Sequence, residues 1–230
     1  MNAYHRVWEI DFLRGIAIIM MVFFHLVVDL TDYYGYQFNY LTSFWYYEGK
    51  LTALLFILVA GISSSLSSSN FWRGLIIFGW AMVLTVITYM YNPYTYIRFG
   101  ILHLLGISMI AYHYLKSVRL VWLWLLALTL LGMGLGTLPL QSSLLIPFGL
   151  PPANFVSLDY YPIIPWTGVF LIGVLCSRYI YQQPKSLFQV PPQHGFINYL
   201  GRHSLMIYLI HQPLILAGLY ILNNVVRGII

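Results

Sequence analysis

The run W-E-I-D-F-L-R-G-I-A-I-I-M-M-V-F-F-H-L-V-V-D, from Trp8 to Asp29, sets the terms for the rest of the chain. As a helix it would be about 32 Å long, the thickness of a bilayer's hydrocarbon core. Its apolar residues suit any membrane span, but its polar ones do not. Asp11, Arg14, His25 and Asp29 follow one another at helical spacing and share one stripe, with Ile18 and Met21 between them. Ionisable groups are costly against lipid, so that stripe should face other helices or a water-filled cavity. An acid–base pair stands at one end of it, and a histidine over an aspartate at the other.

The remainder of the chain leaves no alternative to a membrane setting. Of its 230 residues 60% are hydrophobic and only 7% charged, whereas a soluble domain carries about 25% charged residues. An all-α, polytopic integral-membrane bundle is the expected fold, a single transmembrane domain over 1–230 with no room for a soluble one. The lone Cys176 excludes an internal disulfide and argues against a Cys-ligated metal site; no metal is predicted. The net charge of +5 is scattered, with no basic run, so nucleic acid is not expected as a partner. Glu9, Asp11 and Arg14 interrupt the first apolar run, so it is read as a span rather than a cleaved signal.

Seven spans are predicted: 8–30, 50–66, 72–91, 98–115, 119–137, 162–181 and 200–222. The stretch 138–161, rich in Pro, Ser and Leu, is too broken to span and should lie at an interface or re-enter. Residues 182–197 read as a Pro-marked loop, with His194 in it and His5 near the N-terminus as loop residues. Basic residues set the orientation. With the N-terminus cytosolic, Arg6, Arg14, Arg73, Lys116, Arg119, Arg178, Lys185 and Arg202 lie inside, against Lys50, Arg98 and Arg227 outside.

Depth along each predicted helix then groups the polar residues. His25 falls about 6 Å below the outer end of the first span, and His103 about 8 Å inward from Arg98. Asp159 stands just before Pro162 at the outer mouth of the sixth span. His25, Asp29, Arg98, His103 and Asp159 could thus meet in the outer half, where imidazole is suited to taking a proton from an amine or hydroxyl. The same residues would equally serve to pair helices. In the last span Ser204, Tyr208, His211 and Gln212 share a face, and Pro213 should bend the helix near His211. Arg202 and His203 are expected near a helix N-terminus, a setting that favours anions. With Arg14 they could hold phosphates, or simply be positive-inside residues.

These residues lie in recognisable blocks. E-I-D-F-L-R-G-I-A-I-I-M-M-V-F-F-H (9–25), F-I-L-V-A-G-I-S-S-S-L (56–66) and R-F-G-I-L-H-L-L-G (98–106) come first. D-Y-Y-P-I-I-P-W-T-G-V-F-L-I-G (159–173) and L-G-R-H-S-L-M-I-Y-L-I-H-Q-P (200–213) follow in order. Together they resemble the prokaryotic relatives of heparan-α-glucosaminide N-acetyltransferase, within the transmembrane acyltransferases. The resemblance implies an enzyme of a prokaryotic cytoplasmic membrane that takes acetyl from cytosolic acetyl-CoA. It would pass the acetyl to an amino or hydroxyl group of a sugar-like acceptor on the opposite side.

In the larger eukaryotic relative the implicated histidine lies after the first family helix. Thr31–Lys50 contains no histidine here, and His25 is the closest substitute. On this reading His25 is base or transient acyl carrier, Asp29 orients it, and Asp159, Arg98 and His103 complete the outer site. Asp11, Arg14, Arg202, His203, Ser204, Tyr208 and His211 line the donor path. The lipid bilayer is a partner throughout, and assembly as a homodimer is left open. The alternative is a transporter or flippase for a polar or anionic molecule, which would use the same cavity without a base. A b-type haem held by His25 and His103 is a further rival that would make the protein red.

Overall fold

A computed structural model describes residues 7–136, 141–181, 185–188 and 195–229, with side chains to 225; Arg6, His5 and His194 lie outside them, as does the Arg227 side chain. The described chain is helical: α1 (Trp8–Tyr34), α2 (Phe44–Ser65), α3 (Asn70–Tyr91), α4 (Ile101–Leu115), α5 (Leu120–Met133), a 3₁₀ helix (Ser143–Phe148), α6 (Ile163–Ile180), α7 (Phe196–Arg202) and α8 (Ser204–Ile229). Among these, α1, α2, α3, α6 and α8 are long and apolar enough to cross a membrane, and α4 and α5 are shorter apolar helices. The protein is an all-helical membrane protein, and the seven apolar helices answer the seven predicted spans.

The chain divides into two compact units, one made of 1–56 with 185–230 and the other of 57–184. In the first, α1 packs against α7 and α8. Without a hydrophobic drive between helices in lipid, close packing needs small residues at the contact. Gly15 and Gly201 supply them: a Cβ on Gly201 would run into the Asp11 carbonyl, and one on Gly15 into that of Ile197. α1 ends at Gly35, whose left-handed φ of 75° closes the last turn onto Leu30 O.

In the second unit α3 packs on α4, and α5 on α6. Ile57, Val59, Leu104, Leu123, Phe170, Val174 and Leu175 are among its fully buried apolar side chains. Trp72, Ile76, Val86, Ile87 and Met90 of α3 and Val121, Trp122, Leu125 and Leu128 of α5 are exposed, an apolar surface suited to lipid.

Two of this unit's basic residues do more than set topology. Arg178 donates to the Tyr112 hydroxyl and to the carbonyls of Lys116 and Val118, pinning the α4–α5 hairpin. Lys116 in turn donates to the carbonyls of Ser67 and Ser68.

Where the spans differ from expectation, the cause is non-local pairing. The fourth was expected from Arg98, but residues just before Ile101 are extended. Phe99 forms a parallel bridge with Tyr160, Leu158 N donates to Thr95 O and Tyr161 N to Phe99 O. Residues 98–100 therefore lie along the segment before α6 rather than opening the fourth span. The last expected span is likewise divided, because the chain leaves helical geometry at His203 (φ −101°, ψ 17°) between α7 and α8.

Candidate active site

In the first unit, α1 offers His25 and, one turn on, Asp29, while α8 offers His211 and Gln212. The two histidine rings meet edge to face with centroids 4.8 Å apart. The Asp29 carboxylate, 2% exposed, takes both its hydrogen bonds from Gln212 Nε2, at 2.8 and 3.0 Å. Spacing on α1 alone points to His25 as the partner of Asp29. The neighbouring helix offers an amide donor better placed than a ring on the same helix, and the pairing is made across α1 and α8 instead.

The protonation pattern of this cluster follows from its partners. His211 Nδ1 lies 2.6 Å from the Tyr208 carbonyl, which can only accept, so Nδ1 carries the proton. Nε2 then holds a lone pair, and it is buried without a hydrogen-bond partner among the described residues. The Gln212 amide is fixed by the same logic. Its NH₂ faces a carboxylate, so its oxygen points the other way, and that oxygen is also buried without a partner. The Tyr208 ring lies tilted beside His211 with centroids 5.6 Å apart, and its centroid is 6.4 Å from that of Phe56. α8 continues through Pro213 as one helix, with Ser204 as its first residue.

At the other end of the stripe, Asp11 is 3% exposed and holds two arginines, with Arg14 at 3.3 Å and Arg202 at 3.9 Å. Arg202 closes α7 rather than opening a helix, and His203 caps that end with Nδ1 2.9 Å from Tyr199 O. Both are exposed and stand immediately before the first turn of α8. Beside them Glu9 accepts from Ser186 Oγ, Leu187 N and Phe188 N at 2.6, 2.6 and 3.1 Å, clamping the segment that leads towards α7.

The second unit holds the other three expected residues, and each has a defined local partner. Asp159 Oδ2 accepts from Ile101 N at 2.9 Å, capping α4. His103 Nδ1 accepts from Gly100 N at 3.1 Å, so Nε2 carries the proton and donates to Thr85 Oγ1 at 3.2 Å. Thr85 passes the chain on to Ile97 O. The Arg98 guanidinium lies over the rings of Tyr96 and Phe155, 4.9 and 5.4 Å from their centroids. Beside Asp159, Tyr160 donates its hydroxyl to Ile146 O, and burial pushes its pKa up to about 12; burial and the Asp159 charge raise Tyr161 as well.

The arrangement thus collects a lone pair on imidazole, a second imidazole, a fixed amide oxygen and a carboxylate at one place on α1 and α8. That is the equipment of proton transfer next to a bound polar group. A family model described as heparan-alpha-glucosaminide N-acetyltransferase, catalytic, matches residues 6–213. The chain belongs to this family. No curated protein and no solved structure matches it. Membership makes the protein a membrane acyltransferase in type, and the match runs from the start of α1 to Pro213, just past His211 and Gln212.

His211 and Gln212 were legible as a polar face on the last span, but not as the partners of His25 and Asp29. The clamp formed by Glu9 had no sequence signal at all. Its partners are two backbone N–H groups and a serine some 177 residues away.

Proposed function

We propose that the protein transfers acetyl from acetyl-CoA to the amino group of a sugar-like acceptor, with the reaction centred on His25 and His211. The family's description motivates acetyl as the group transferred and an amino sugar as the acceptor class. The observation that carries the chemistry is the buried, unpartnered Nε2 of His211, beside a second imidazole 4.8 Å away ring to ring. The amine nitrogen attacks the acetyl carbonyl, the N–C bond forms and the C–S bond to CoA breaks. The proton leaving nitrogen passes to the histidine pair and then to the departing thiolate, so CoA leaves as the thiol. A transporter would need no such base.

Asp11, Arg14 and Arg202, with His203 and Ser204 beside them and Tyr208 further along α8, form the donor path on this reading. The two guanidiniums suit the phosphates of CoA, and Asp11 holds them in register. The basic-residue bias supports a cytosolic N-terminus, and the family resemblance motivates entry of donor from the cytosol and an acceptor on the far side, in the cytoplasmic membrane of a prokaryote. Arg98, His103 and Asp159 serve the fold of the second unit. A histidine with both nitrogens engaged has no lone pair for a proton or for a haem iron.

The test uses detergent-purified protein with acetyl-CoA and D-glucosamine. Wild type is expected to form N-acetylglucosamine, and His211→Ala and His25→Ala to lose that activity while still binding acetyl-CoA by calorimetry. Full activity in both variants would overturn this reading.

A further inference from the structure

Gln212 has a carboxamide with two ends, and the two are treated differently. Its nitrogen donates to both oxygens of Asp29 at 2.8 and 3.0 Å, while its oxygen is buried and has no partner among the described residues. The next residue along α8 repeats the pattern, since His211 Nδ1 is tied to the Tyr208 carbonyl and its Nε2 is buried and unpartnered. Successive residues of one helix therefore leave two orphan atoms, and both are acceptors. Buried acceptors without partners are uncommon and mark a place that a donor group fills.

We infer that Gln212 selects the acceptor's nucleophile, its amide oxygen being turned by Asp29 to take the second N–H of a primary amine. The inference rests on the acyl-transfer reading above. A neutral amine has two N–H donors and one lone pair. One N–H goes to the histidine pair, which removes that proton as the N–C bond forms. The other goes to Gln212 Oε1, which accepts without taking the proton, so that hydrogen remains in the amide product. With both hydrogens held, the lone pair has a single direction left, towards the acetyl carbonyl.

A hydroxyl has one donor. If it serves the histidines, Gln212 Oε1 stays orphaned, and a site built to hydrogen-bond a group discriminates strongly against the analogue lacking it. Asp29 is a positioning residue here. Its charge forbids the amide flip that would turn the Gln212 oxygen inward and present a donor to the substrate instead.

The experiment measures acetyl transfer to D-glucosamine nitrogen and to D-glucose oxygen on the same detergent-purified preparation, for wild type, Gln212→Leu and Asp29→Asn. The nitrogen-to-oxygen ratio of kcat/KM does not depend on the fraction of protein that is folded, so poor folding cannot mimic the result. Wild type should prefer the amine, and both variants should lose that preference by about tenfold or more. Asp29→Asn acts by allowing the Gln212 amide to pair in either orientation. Active wild type with an unchanged ratio in both variants would overturn the assignment of Gln212 alone. Wild type that acetylates neither probe would overturn the reading beneath it.

Discussion

His25 of α1 and His211 of α8 stand edge to face with ring centroids 4.8 Å apart, and the two differ in how they are held. His211 is tied through Nδ1 to the Tyr208 carbonyl, whereas no hydrogen bond to the His25 ring is present among the described residues. A fixed base next to an untethered imidazole is suited to relaying a proton rather than storing one. Four residues along α1 and one along α8, the Asp29–Gln212 pair forms a second rung between the same helices.

The fixed tautomer gives a first prediction. His211→Gln keeps a polar side chain in the same space but removes the titrating nitrogen, so kcat should fall by about a hundredfold or more. The KM for acetyl-CoA should change little, because the proposed donor path places its charged end elsewhere, on α1 and α7. Steady-state kinetics over a range of donor concentrations separate the two constants. An unchanged kcat would remove His211 from the chemistry.

The donor end gives a second. Asp11 is shared by Arg14 and Arg202, so removing one arginine leaves the carboxylate paired with the other. Arg202→Ala should therefore fold, and should bind acetyl-CoA about tenfold more weakly, the usual scale for one charge-assisted contact to phosphate. The dependence of binding on salt should flatten in the same variant. Calorimetry at two ionic strengths reads both effects.

What composition and periodicity could carry, they carried. Seven apolar stretches became seven apolar helices, and the stripe Asp11, Arg14, His25, Asp29 lies on one helix as its spacing requires. Helical spacing is a local property and survives any arrangement of neighbours. The partners of that stripe are not local. Gln212 lies 183 residues from Asp29, and nothing in a single sequence says that the first and last long helices touch. The same limit explains the fourth span. Arg98 to Gly100 looks like helix until one knows that Asp159, 58 residues on, caps Ile101. Depth alone groups His103 with the outer-site residues, and no spacing reveals its engagement by Gly100 and Thr85.

His103 accordingly supports a third prediction. His103→Ala strands the Gly100 N–H in a buried setting, at a cost of about 1–3 kcal/mol, and leaves the Thr85 hydroxyl only its bond to Ile97 O. The melting temperature in detergent should drop, while kcat per folded molecule stays at the wild-type value. A variant that melts normally yet loses turnover would return His103 to the reaction.

The clamp at the start of α1 supports a fourth. A single oxygen of Glu9 receives the Ser186 hydroxyl and the N–H groups of Leu187 and Phe188, which holds the chain just beyond Lys185 against α1. Trp8 adds its indole N–H to the Phe188 carbonyl. Hydrogen bonds to a charged group contribute about 1.5–3 kcal/mol each, and those from backbone N–H groups are lost together once the carboxylate is gone. Lys185 is exposed, so trypsin can report on the segment directly. Glu9→Ala should raise the rate of cleavage after Lys185 by about tenfold or more, because cutting follows the population of the opened segment. Glu9→Gln keeps one acceptor oxygen without the charge and should fall between the two. Equal cleavage rates in all three proteins would mean that the segment is held by something other than Glu9.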